Sequence, residues 1–224
     1  MLLEIPSVLS NVQLNQIKTL LSKGQYIDGK LSAGMAAKKV KNNQELSNNV
    51  ELMNQLNNLV MGTLVQNTVF QAAVLPIKIA TPFYARYQQG MQYGDHVDDP
   101  VMGPPQGRYR SDVSTTVFLN APEEYEGGTL VVHTPFGVQK VKLAAGHAVV
   151  YPSSSLHHVS EVTSGERLVA VTWSQSMVRE PDKRELLFNL NQARENLLKS
   201  QAEDTATKQV DVAYVNLVRM WADT

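Results

Sequence analysis

The residues with chemical potential in this chain gather first in the stretch Tyr93-Gly94-Asp95-His96-Val97-Asp98. In an extended strand, side chains at i and i+2 leave the same face, so His96 and Asp98 can address one ion while Val97 packs the other way. A single pair of this kind is a weak signal, because short motifs recur by chance. Further on comes Leu156-His157-His158-Val159-Ser160-Glu161-Val162-Thr163-Ser164-Gly165-Glu166-Arg167, which reads as a strand, a Ser-Gly turn and a returning strand. One histidine from that run would complete two histidines and one carboxylate. Such a set occupies one face of an octahedral ion, leaves the other positions open and favours non-haem ferrous iron in oxygen chemistry. Arg167, on the strand beside it, could clamp a carboxylate through two parallel hydrogen bonds. With 0 cysteines, any metal must be held by nitrogen and oxygen, and disulfides, cysteine nucleophiles and iron–sulfur ligation are excluded.

At these residues the chain resembles the iron- and 2-oxoglutarate-dependent dioxygenases of the prolyl 4-hydroxylase type, most closely the bacterial PKHD-type hydroxylases. Their pattern of His-x-Asp, a Gly-Gly hairpin and His-x-Val-x-x-Val-x-x-Gly-x-Arg is matched by His96 and Asp98, by Glu126-Gly127-Gly128-Thr129-Leu130, and by His157, Val159, Val162, Gly165 and Arg167. The resemblance covers essentially the whole length, with the motif residues between Tyr87 and Trp173. It implies a mostly β fold with flanking helices and a double-stranded β-helix (jelly roll) core. It also implies that His157 is the third ligand, with His158 on the opposite strand face. By the same resemblance His96, Asp98 and His157 would hold Fe(2+), and Arg167 would bind the distal carboxylate of 2-oxoglutarate, which also chelates the metal. The implied reaction couples oxidative decarboxylation of 2-oxoglutarate to succinate and CO2 with hydroxylation of a substrate C–H bond by O2. L-ascorbate is implied as an accessory reductant, and the substrate as a peptide, a free amino acid or another small molecule.

Phe118 departs from the pattern, standing where some relatives carry a tyrosine that helps bind the cosubstrate. Tyr87, Tyr93 and Tyr109 are candidates to replace that hydroxyl, Tyr87 first among them, against the alternative of ordinary aromatic packing. Ser114 and Thr116 either line the pocket or reflect strand propensity. His133 and His147 lie outside the motif and read as structural or exposed, Asp99 as a loop cap, Glu161 and Glu166 as solvated. The loop from Asp99 to Arg110, rich in proline and glycine, is either a lid over the open metal positions or a rigid surface turn. Arg108 and Arg110 within it either steer an acidic substrate or are simply exposed.

The elements that must position these residues follow from hydrophobic period. Ser10 caps a first helix with Leu14, Ile17, Leu20 and Leu21 at helical spacing and Gly24 as its stop. A second helix is expected over 43–66, from Leu46, Val50, Met53, Leu56, Val60 and Leu64. From Phe70 the texture turns to short β-branched and aromatic runs: 76–80, 83–88, 113–119, 130–133, 138–143, 148–151, 157–162 and 167–173. Eight strands with Gly and Pro turns between them argue a sandwich or jelly roll. After Trp173 the helix period returns, with Pro181 in a first turn and apolar stripes through Leu186–Leu198 and Val210–Trp221. The expected organisation is an N-terminal helical segment over 1–76, the dioxygenase jelly roll over 77–177 and a C-terminal helical extension over 178–224. The end helices either cover a sheet face or form a homodimer contact.

Composition bounds the rest. Hydrophobic residues at 43% and charged residues at 18% exclude a mainly disordered chain. A formal charge of -1 gives no overall electrostatic footprint for nucleic acid or an anionic membrane. The first residues lack the basic and apolar regions of a signal peptide, and no apolar run approaches a membrane span, so the expected compartment is the cytoplasm. Two other readings compete: a zinc or manganese jelly-roll enzyme of non-oxidative chemistry, and a silent binding module. Arg167 argues against the first and the intact ligand set against the second.

Overall fold

Val113-Ser114-Thr115-Thr116-Val117-Phe118 alternates in the β-strand manner, yet the strand it forms is buried along its whole length. Both of its faces are covered, one by helices and the other by a second sheet. The computed structural model describes residues 1–223; residue 224, the last of the expected C-terminal extension, lies outside the described residues.

The first part of the chain runs β1 (Leu3–Ile5), α1 (Asn11–Leu21), β2 (Tyr26–Asp28), β3 (Lys41–Asn42), β4 (Gln44–Leu46), α2 (Val50–Leu64) and α3 (Thr68–Val74). Then come β5 (Pro76–Ile79), β6 (Phe83–Tyr87), β7 (Gln92–His96), β8 (Val101–Met102), β9 (Tyr109–Arg110), β10 (Val113–Phe118), β11 (Tyr125–Gly127), β12 (Leu130–Thr134) and β13 (Gly137–Val141). The chain continues through β14 (Ala148–Pro152), β15 (His157–Val159), β16 (Val162–Gly165), β17 (Arg167–Ser176), α4 (Pro181–Ser200) and α5 (Thr205–Trp221). The larger sheet has the order β1-β14-β10-β17-β6-β4-β2, with β5 also on β17; the smaller has the order β13-β12-β15-β7-β3. All pairings are antiparallel, and two short ribbons, β8–β9 and β11–β16, complete the fold.

The period of two sorts the larger sheet into faces. Val113 and Val117 of β10, Ala148 and Val150 of β14, Ala170 of β17 and Tyr84 of β6 pack beneath the helices against Leu14, Ile17, Leu56, Val60, Leu64 and Phe70. The alternate residues, Phe118, Val149, Tyr151, Val169, Ala85 and Tyr87, face the smaller sheet and meet Leu130, Val132 and Val159 there. The jelly roll interior therefore lies between the two sheets, and α1 to α3 form a third layer outside it.

Local chemistry explains the ends. Ser10 and Gln13 form a reciprocal capping box at α1, and the helix stops at Leu21 with Ser22 as its cap, just ahead of Gly24. The expected helix over 43–66 is corrected: Asn49 caps α2 by accepting from Leu52 N–H, so the helix starts at Val50. Gln44–Leu46 instead forms β4, paired on one side with β2 and on the other with β6. Phe70 to Val74 is corrected from strand texture to helix, because Asn67 caps α3 and Leu75 closes it in the left-handed region at φ 48°. The first 76 residues thus supply four short strands to the two sheets as well as three helices. At the other end, α4 packs on α3 and α5, and Leu187 joins Leu75, Val178, Leu217 and Trp221 in a small apolar cluster.

Candidate active site

Strand alternation delivers the site residues to the interior between the sheets. His157 and Val159 of β15 point inward with Val132 of β12, while His158 points out. A bulge between β7 and β15 leaves His157 opposite His96 and Val159 opposite Tyr93. It also lets Tyr93 and His96, three apart in sequence, share the inner face, their rings stacked at 3.6 Å.

Each ligand candidate has one donor atom fixed and one free. His96 Nδ1–H donates to the Gly94 carbonyl at 2.8 Å and His157 Nδ1–H to the Ser155 carbonyl at 3.0 Å, since a carbonyl can only accept. In the neutral ring this bond selects the tautomer with its lone pair on Nε2, which is the one a metal ligand needs. Asp98 Oδ2 accepts from the Ser114 hydroxyl and, at 2.9 Å, from the Trp173 indole N–H. That leaves Oδ1 to face the two histidines, 3.9 Å from His96 Nε2 and 3.9 Å from His157 Nε2. His96 and His157 are buried, Asp98 is partly buried, and the three donors lie within 4.8 Å of one another, a nitrogen and oxygen set that suits a ferrous ion. Burial, followed by the neighbouring His157, lowers the pKa of His96, so it is neutral and needs no deprotonation to bind a metal.

Arg167 opens β17, which runs antiparallel to β6 with Arg167 opposite Tyr87. It is 1% exposed, and its Nε has no hydrogen-bond partner among the described residues. The guanidinium lies 5.0 Å from the Tyr87 ring centre and 5.6 Å from that of Phe118. Aromatic faces offset only part of the cost of burying such a charge, and an anion beside it would offset the rest. Burial raises the pKa of Tyr87 to about 12, although Arg167 acts against the shift, so its phenol stays protonated as a donor. The Tyr125 hydroxyl is also buried without a partner among the described residues.

A cavity of about 910 Å³ joins these groups: His96, Asp98, His157, Arg167, Tyr87, Thr116, Tyr151 and Leu130 all line it. Ser114, Thr116 and Phe118 leave the inner face of β10 together, so the first two belong to the site by strand phase, not by propensity alone. Tyr93 and Tyr109 both line the cavity, Tyr93 stacked on His96 and Tyr109 with its hydroxyl directed at Met102 Sδ at 3.6 Å. The segment from Asp99 to Arg110 is ordered as the β8–β9 ribbon, pinned by Lys78 Nζ to the Gly107 carbonyl and by Ser111 to the Asp99 carbonyl. It forms one wall of the cavity mouth. Arg110 is a structural residue, bonded to Asp112 at 2.6 Å and to the Ser176 carbonyl. Glu166 lies at the surface near Arg86, and Glu161 is exposed.

Three contributors escaped the sequence reading. Trp173 sits on the same face of β17 as Arg167, six residues on, so the period of two could have found it. Tyr151 faces the interior from β14, and its strand phase carries the same signal. The buried Lys41–Glu45 ion pair, 2.5 Å apart, lines the cavity from β3 and β4, strands too short to show any period.

Comparison with known proteins agrees with this geometry. Residues 82–175 match the family model described as the 2OG-Fe(II) oxygenase superfamily, and residues 182–223 match the PKHD-type hydroxylase C-terminal domain. Over 223 residues, covering 100% of each chain, the protein is 53% identical to a PKHD-type hydroxylase of Thioalkalivibrio sulfidiphilus. It is 45% identical to one of Acaryochloris marina, again over 100% of both chains. In shape it is similar to a prolyl hydroxylase of Trichoplax adhaerens, with TM-score 0.56 and 16% identity over 83% of this chain and 86% of the other. Full-length identity at this level, with a fold shared by the 2-oxoglutarate oxygenases, places the chain in the PKHD-type hydroxylase family of iron(II)- and 2-oxoglutarate-dependent dioxygenases.

Proposed function

We propose that His96, Asp98 and His157 hold the iron, that Arg167 with Tyr87 beside it receives the distal carboxylate of 2-oxoglutarate, and that the open cavity takes the substrate. The observation that carries this reading is Arg167: a buried cation with an unpartnered Nε, in the same cavity as three converging donors. Bound there, iron and 2-oxoglutarate supply the oxidising chemistry, in which O2 and 2-oxoglutarate become succinate, CO2 and one oxygen atom inserted into a substrate C–H bond. The chain's own residues do the positioning. The carbonyls of Gly94 and Ser155 hold the two imidazoles in the binding tautomer, and Ser114 and Trp173 hold the carboxylate. Arg167 fixes the cosubstrate by a planar fork, Tyr87 adds a neutral donor, and Leu130 and Val159 keep water from the deep end.

The substrate is read from the cavity mouth. Ile27, Leu31, Phe83, Val97 and Val101 are apolar, exposed and arranged around it. Such a rim suits an extended peptide with apolar side chains. The solved Trichoplax prolyl hydroxylase of similar shape is in complex with a peptide fragment, which accords with this preference. L-ascorbate as an accessory reductant, a cytoplasmic setting without nucleic-acid or membrane partners, and a homodimer through the exposed Val212, Val215 and Met220 of α5 belong to the same reading. So does the division at about residues 76 and 178, between which the chain supplies every proposed ligand.

The test is anaerobic titration of the metal-free protein with ferrous iron and then 2-oxoglutarate, following the weak visible charge-transfer band of the chelate. A saturable band in the wild type, lost in Asp98→Ala, is the expected result. Iron loading without a band on adding 2-oxoglutarate would overturn the cosubstrate site.

A further inference from the structure

The strands that carry His96 and His157 present a second donor set on their other face. Asp95 precedes His96, His158 follows His157, and His133 lies near the end of β12. In the ladder Val131 pairs with His158, so His133, two residues on from Val131, shares the outer face with His158. The bulge between β7 and β15 brings Asp95 to the same place. One donor atom from each of the three lies within 4.8 Å of the others. His158 Nδ1 is 2.6 Å from Asp95 Oδ1, and His133 Nε2 is 3.5 Å from that same oxygen. The His133 Nε2 atom is buried and has no hydrogen-bond partner among the described residues.

We propose that Asp95, His133 and His158 form a second, non-catalytic metal site for a divalent cation of the zinc class. Without an ion, Asp95 Oδ1 serves His158, while the buried His133 Nε2, 3.5 Å from the same oxygen, makes no hydrogen bond among the described residues. A tetrahedral ion with ligands about 2.0 to 2.2 Å away sets neighbouring donors roughly 3.4 Å apart. The His133–Asp95 separation of 3.5 Å already meets that edge, the His158–Asp95 contact has to open, and the two imidazole donors start within 4.8 Å of each other. Two imidazoles and one carboxylate select zinc, nickel or copper over magnesium or calcium, which prefer all-oxygen sets. Asp95 is 55% exposed at its side chain, so the remaining position is open to water. The site faces away from the cavity, so its ion cannot reach the substrate. It would instead tie β7, β12 and β15 together at the bulge, directly behind the iron ligands.

The full chain, stripped of metal and saturated with 2-oxoglutarate, is titrated with Zn2+ by calorimetry, and with Co2+ by visible absorption to separate the two coordination geometries. The wild type is expected to take two equivalents, with the intense visible bands of four-coordinate Co2+ arising from one of them. His133→Ala is expected to take one equivalent and lose those bands, and Asp95→Asn to do the same. Asp98→Ala should keep the four-coordinate equivalent, which the added His133→Ala change removes. A wild type that takes a single equivalent, or a His133→Ala variant that still takes two, overturns the proposal. All three residues are at least partly exposed, and matching melting temperatures without metal establish that the variants are folded.

Discussion

Asp98 reaches the proposed metal position with its outer oxygen already occupied by Ser114 and Trp173, which makes its orientation a property of two other strands. Partners that orient a ligand in this way typically contribute 10- to 100-fold to metal affinity. Trp173→Phe, which keeps the ring against Phe83 and removes the N–H, is therefore expected to weaken ferrous binding by about tenfold or more. Equilibrium dialysis against iron checks this; affinity equal to wild type would mean that the indole only packs. Arg167→Ala isolates the cosubstrate. Each charge-assisted hydrogen bond is worth about 1.5 to 3 kcal/mol, so loss of the two-bond fork should raise the KM for 2-oxoglutarate by about a hundredfold or more while iron binding stays intact. Arg167→Lys should recover little, because a point charge cannot reproduce two parallel bonds. An unchanged 2-oxoglutarate requirement in Arg167→Ala would remove Arg167 from the site, and in Arg167→Lys it would remove the fork. His158→Ala should leave ferrous affinity at the inner site near wild type, and a loss equal to that of His157→Ala would reverse the assignment of the two neighbours.

Elements place these side chains through turns as much as through strands. Gly128, at φ +60°, sits in the Gly-Gly hairpin where an added Cβ would lie 3.0 Å from Arg167 Cδ, from the Tyr125 ring and from Val162. Gly128→Ala is expected to cost about 1 to 3 kcal/mol in stability from the left-handed backbone alone. It should also raise the KM for 2-oxoglutarate by pushing on the Arg167 stem; a lower melting temperature with an unaltered KM would make the glycine a fold residue only. How much of this was legible in sequence depends on the length of the element. Strands of five residues or more with β-branched or aromatic residues, such as β6, β10 and β17, were readable because alternation has room to repeat. β1 to β4 have two or three residues each, and there the helical spacing of Leu46 with Val50 and Met53 misled, since Asn49 interrupts it as a cap. The His96 and Asp98 pair was readable as spacing, whereas the choice of His157 over His158 and the Gly-Gly and Gly-x-Arg positions came with the family resemblance. Asp95 and His133 were not readable as a pair, because only the bulge and the β12 register bring them to one spot.

At the scale of the molecule, the site is a joint between the two sheets. His96 and His157 belong to the smaller sheet, whereas Arg167, and the two residues that hold Asp98, belong to the larger. Metal and cosubstrate bound together would therefore connect layers that otherwise meet through apolar packing. A ligand that binds only the folded state stabilises it by about 2.7 kcal/mol at a hundred times its Kd. For a chain of this size each kcal/mol moves Tm by about 2 to 4 °C, so Mn2+, as a redox-silent substitute for iron, and 2-oxoglutarate at that excess should each add several degrees. The increments should depend on each other, because the cosubstrate chelates the metal: 2-oxoglutarate without Mn2+ is expected to add less than 2-oxoglutarate after it. Asp98→Ala should abolish the metal increment and most of the cosubstrate increment with it, whereas Arg167→Ala should retain the first and lose the second. A 2-oxoglutarate increment that survives Arg167→Ala would mean that the cosubstrate binds without crossing to the larger sheet. The joint would then be held by the Asp98 anchors alone.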